Sequence, residues 1–121
     1  MKAALACACL ALTLGCRRGG EPTTTQRQMD TDAQAAFHQA DAQLQAIYSS
    51  IGPRLDDDDR ARLAAAERAW TAYRDSNCAA EQALYEGGSI APQIQFACLA
   101  KLTDDRIGEL KRVYDEQLGR Q

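Results

Sequence analysis

From residue 32 onward, apolar side chains return every three or four positions, which places them on one face of an α-helix, and no stretch alternates as a half-buried strand does. Phe37, Ala40, Leu44, Ile47 and Ile51 make one such stripe, and Gly52 with Pro53 stops it, so a first helix is predicted over residues 32 to 50. A second row, Leu63, Ala66, Trp70, Tyr73, Asn77, Ala80 and Leu84, steps alternately by three and four, the pattern of a seam between helices packed at a shallow angle. Asp56 or Asp57 can cap that helix, the adjacent carboxylates complement the positive end of its dipole, and Gly87 and Gly88 end it. The third stripe is Ile94, Cys98, Leu102, Arg106, Leu110, Val113 and Gln117. Ser89 can cap this helix, and Pro92 is tolerated in its first turn because early N–H groups have no intrahelical partner. The fold class is therefore all-α, a small three-helix domain built on an antiparallel helical hairpin.

The amino-terminal segment follows a different pattern. Met1 and Lys2 precede an apolar run over residues 3 to 14, too short for a mature spanning helix of ~20 residues and typical of a secretory signal. It ends in "LTLGC", which resembles the lipobox of bacterial lipoproteins, with Thr13 where leucine is usual. That resemblance implies a signal peptide over 1–15, lipidation of Cys16, and attachment to a bacterial membrane with the domain outside the cytoplasm. Arg17 after Cys16, in place of aspartate, fits outer-membrane sorting. Residues 17 to 28, "RRGGEPTTTQRQ", lack apolar periodicity and read as a tether, giving a lipidated, flexible segment over 16–29 and a helical domain over 30–121.

Cysteine usage then constrains the hairpin. Of five cysteines, Cys7 and Cys9 leave with the signal and Cys16 goes to lipid, so Cys78 and Cys98 remain as a pair in an oxidising compartment. Each lies ten residues from Gly88, hence ~15 Å from the turn on antiparallel helices. Helix axes ~8 to 10 Å apart bring facing Cα atoms within the short end of the disulfide range. A bond across this loop contributes roughly 3 kcal/mol. The same register sets Trp70 opposite Arg106, Tyr73 opposite Thr103, Leu63 opposite Val113 and Ala66 opposite Leu110, making Trp70, Tyr73, Thr103, Arg106 and Leu110 the structural seam. Trp70 can stack there on the Arg106 guanidinium.

Charge and motifs narrow the functions available. From residue 29 onward sixteen Asp and Glu face ten Lys and Arg, a formal charge of −6, and no basic patch with interleaved aromatics points to nucleic acid. An acidic body favours basic partners. His38 is the only histidine, and the chain has no glycine-rich phosphate loop, nucleophile elbow or metal-ligand constellation. The reading is accordingly a protein without catalysis, cofactor or metal.

Four segments, "ADAQLQAIY", "AERAWTAYRDSNC", "EGGS" and "CLAKLTDDRIGEL", carry a closer resemblance. In the order and spacing of Trp70, Tyr73, Arg74, Cys78, Cys98, Thr103, Arg106 and Leu110, residues 41 to 118 resemble the LprI-like lysozyme inhibitor domain of bacterial exported proteins. Many relatives carry a further cysteine pair before or within the first helix, and residues 29 to 51 have none. The resemblance implies a disulfide-linked helical domain that binds lysozyme and protects peptidoglycan. Candidate partner contacts are Asp56, Asp57, Asp58 and Asp59, Arg74 one step off the seam and free to reach a cleft carboxylate, and Gly87, Gly88 and Ser89 at the turn. The rival is a noncatalytic envelope module that binds another envelope protein through its helical faces.

Overall fold

The computed structural model describes residues 23–116 and 119. Three helices carry the fold: α1, Thr24–Ile51; α2, Asp57–Ala83; and α3, Ala91–Leu110. The signal segment, Cys16, tether residues 17 to 22 and Gln117 lie outside the described residues. Within them, no helix is long and apolar enough to cross a membrane.

Helix α1 begins eight residues earlier than the apolar stripe predicts, so residues 24 to 29, expected as tether, are its first turns. Polar groups hold this extension where periodicity is silent. Thr23 caps the helix by accepting the Gln26 N–H at 3.1 Å, and Gln28 donates to Asp32 at 2.8 Å one turn on. Gln26 donates to Asp30 at 2.8 Å and also to Gln93 of α3 at 3.1 Å, which fastens the new turns to the hairpin. A short 3₁₀ turn, Gly52–Arg54, then leads to Asp56, which caps α2 by accepting the Asp59 N–H at 2.8 Å.

The turn between α2 and α3 occupies residues 84 to 90, so α2 stops before Leu84, short of the two glycines. Gly87 has φ +82°, the left-handed region where a Cβ is strained, and no other described residue does. Ser89 does not cap α3: Ile90 holds the cap position without a side-chain bond, and Pro92 sits in the first turn as expected. Beyond Leu110 the helix widens into a π-helical turn, Lys111–Asp115, tied back to Arg54 by an Arg54–Asp115 ion pair at 3.7 Å.

Helix α3 is the central element, packed against both α1 and α2. The contacts Gln26–Gln93 and Tyr48–Arg106 show that α1 runs parallel to it. Two apolar clusters result. One joins Leu44 and Ile51 of α1, Leu63 of α2 and Ile107 and Leu110 of α3; the other gathers Phe37, Phe96 and Leu102 around Cys78, Cys98 and Leu99.

Cys78 and Cys98 are bonded, with Cα atoms 5.5 Å apart, as their spacing about Gly88 predicts. The register holds along the hairpin: Leu63, Ala66, Leu110 and Val113 line one hollow of about 210 Å³. The face that α2 presents is corrected by one residue. Leu63, Glu67, Trp70, Arg74 and Cys78 turn inward, whereas Ala66 and Ala80 are exposed, Leu84 is 82% exposed and Tyr73 is 58% exposed. Residue 78 sets this face, because positions four, eight, eleven and fifteen before it share its side of an α-helix.

Candidate functional site

The inward shift converts Arg74 from a candidate surface contact into a buried hub, only 6% exposed. Its Nη1 donates to Asp41 of α1 at 3.1 Å and to Thr103 of α3 at 3.2 Å, while Nε donates to Asp75 at 2.9 Å. The guanidinium lies 5.1 Å from the Trp70 ring centre and 5.2 Å from that of Phe37. One cation thus touches all three helices between the two apolar clusters. Its hydrogen bonds and aromatic faces offset the cost of burial, which an unpaired guanidinium would not survive.

Arg106 also lies over the Trp70 ring, 5.9 Å from its centre, the contact that the register predicts. Arg106 donates to the Tyr48 hydroxyl at 3.2 Å and to Glu109 at 2.7 Å, and its Nε stands 3.8 Å from Glu67. Glu67 Oε2 is buried and has no hydrogen-bond partner among the described residues. Burial raises the Glu67 pKa above the ordinary carboxylate value, a rise that the charges of Arg106 and Arg74 oppose. Thr103 is fully buried, accepting from Arg74 and donating to the Leu99 carbonyl at 2.7 Å, and Leu110 is buried as predicted. The network locks the three helices together, and exposed His38 packs beside Phe37. Among the described residues no group of three or more His, Cys, Asp and Glu is placed to hold a metal.

The remaining candidates lie on the surface at opposite ends of α2. Asp56 is engaged as the cap, and Asp57 and Asp59 pair with Arg60 at 2.8 Å and Arg62 at 2.6 Å, so much of the aspartate run is locally neutralised. Gly87, Gly88 and Ser89 are exposed at the hairpin tip, beside exposed Leu84, Tyr85 and Ile90. Sequence reasoning missed the tip's apolar character because it assigned Leu84 to the seam. It also missed Glu67, Asp41 and Tyr48 as parts of the hub; for Glu67, the face set by Cys78 was the available signal.

With this arrangement established, similarity to other proteins becomes informative. No solved structure matches the chain. An uncharacterized protein of Rhizobium meliloti (strain 1021) is 32% identical over 104 residues, covering 75% of each chain. The family described as lysozyme inhibitor LprI matches residues 16–110, a span that includes the disulfide, the Arg74 hub and the tip. This disulfide-linked three-helix chain belongs to the LprI lysozyme inhibitor family.

Proposed function

We propose that the protein is an exported, lipid-anchored envelope protein that binds lysozyme and inhibits it without catalysis, protecting peptidoglycan. The family match across residues 16–110 carries this reading. Electrostatics supports it: animal lysozymes are basic, and the formal charge of −6 from residue 29 onward draws such a partner and speeds encounter. Arg74 has no part in the contact, since it is committed to Asp41, Asp75 and Thr103. The anchor is Cys16, and the domain stands in the periplasm or outside the cell.

The test is lysis of peptidoglycan by animal and bacterial lysozymes in the presence of the purified chain. Inhibition should rise with dose and weaken with added salt. Full activity of every lysozyme at high micromolar chain refutes the reading. Cys16→Ser should release the protein from the membrane fraction and remove the lipid mass while leaving its melting temperature unchanged; unchanged membrane retention and mass would refute the anchor.

A further inference from the structure

We infer that the α2–α3 tip, through Leu84, Tyr85 and Ile90 with the carboxylate of Glu86, is the surface that docks on the partner, a basic protein with an apolar hollow edged by Lys or Arg. The inference rests on the lysozyme reading and names the surface that performs it.

Exposure provides the first argument. Leu84 is 82% exposed, Tyr85 45% and Ile90 39%, three large apolar side chains within seven residues. Single exposed apolar residues are ordinary on a protein surface, but a cluster at the end of a hairpin marks a contact site. Beside it is a cleft of about 460 Å³ lined mainly by small residues, among them Ala79, Ala83, Gly87 and Ala91, together with Gln82 and Glu86.

Charge identifies the kind of occupant. Between Asp75 and Ala100 there is no lysine or arginine, while Glu81 and Glu86 are exposed. At the other end of α2, by contrast, Asp57 and Asp59 have arginine partners. The tip therefore combines apolar contact area with negative charge that the hairpin itself does not neutralise. A basic side chain from the partner can enter the small-residue cleft and meet Glu86, while Leu84 and Tyr85 fill an apolar hollow. Tyrosine in particular supplies a large contact area at low conformational cost.

Rigidity completes the argument. The Cys78–Cys98 bond holds the two helices together beneath the tip. Gly87 closes the turn in a left-handed conformation, and Gly88 N–H bonds the Tyr85 carbonyl at 3.0 Å. A loop held in this way loses little freedom on docking.

The Gln26–Gln93 contact places the start of α1 at the same end, so an amino-terminal lipid would hold this end toward a membrane. The rival occupant to test is thus a bilayer. The purified chain is titrated with lysozyme and, separately, sedimented with phosphatidylcholine–phosphatidylglycerol vesicles. Leu84→Ser with Tyr85→Ser should weaken lysozyme binding by about tenfold or more, Glu86→Lys should weaken it and slow association, and Asp58→Asn should change it by less than about twofold, all with unchanged melting temperature. If wild-type chain inhibits and the double variant binds equally well, the tip assignment fails and the inhibitor reading stands. If wild-type chain binds no lysozyme, both fail. Vesicle binding by the Cys16→Ser chain, lost when Leu84→Ser and Tyr85→Ser are added to it, would assign the tip to the membrane and overturn the inference.

Discussion

The two ends of the hairpin are stabilised by different means. Toward the carboxyl end of α3, Leu44, Ile51, Leu63, Ile107 and Leu110 pack as an aliphatic core drawn from all three helices. Toward the tip, the buried cluster reduces to Cys78, Cys98 and Leu99, with Phe37, Phe96 and Leu102 packed against it. A small domain with little apolar area to bury gains its stability at the thinner end from a covalent bond instead. The comparison teaches that such a bond releases side chains from packing duty. Leu84, Tyr85 and Ile90 remain outside because the hairpin closes without them.

That difference can be tested by substitution, beginning with the largest effects. Cys78→Ala should cost about 2 to 5 kcal/mol, and a reducing agent should destabilise the wild type but leave the variant unmoved in thermal unfolding. Leu44→Ala, at a fully buried aliphatic position, should cost about 2 to 4 kcal/mol whether or not a reducing agent is present. The two losses should add to within about 0.5 kcal/mol if the ends are independent; a coupling above about 1 kcal/mol would merge them into one core. Arg74→Met should cost about 1 to 3 kcal/mol, since it strips Thr103 and Asp41 of a donor, whereas exposed Tyr73→Ala should stay within about 0.5 kcal/mol.

Glu67 supplies the smallest effect. Its pKa is raised in the folded chain, so the folded state takes up its proton first as pH falls. Stability from this group is present below the ordinary value of 4.5 and is lost as pH rises through the raised folded value. Glu67→Gln should remove that slope, read as the difference between melting-temperature profiles of the two proteins just above pH 4.5. A slope that survives the substitution belongs to another group.

The same contrast explains how much the sequence reveals. The helices, the disulfide and the buried aliphatics Leu44, Ile51, Leu63 and Leu110 follow from spacing and cysteine count, whereas buried Leu99 and Ile107 each lie one position past the α3 stripe that spacing assigned. The face of α2 does not follow from apolar spacing alone, because Glu67 and Arg74 occupy inward positions that periodicity assigns to apolar residues. Cys78 carried the correction: a residue bonded across the seam must face it, and Arg74 lies four positions before. The early start of α1 was hidden for a similar reason, since Thr23, Gln26 and Gln28 hold it through hydrogen bonds that leave no apolar trace. The tip was legible as a turn but not as an apolar surface.

The bond between Cys78 and Cys98 also decides what a protease can do to the fold. It encloses the whole exposed turn in a covalent ring, with twenty positions separating the paired cysteines. A single cut anywhere in residues 84 to 90 would open the loop without separating its halves, and α2 and α3 would stay joined. Nicked protein should keep its mobility on a non-reducing gel and divide into two fragments only after reduction. The segment most open to attack is thus the one whose cleavage leaves the domain in one piece.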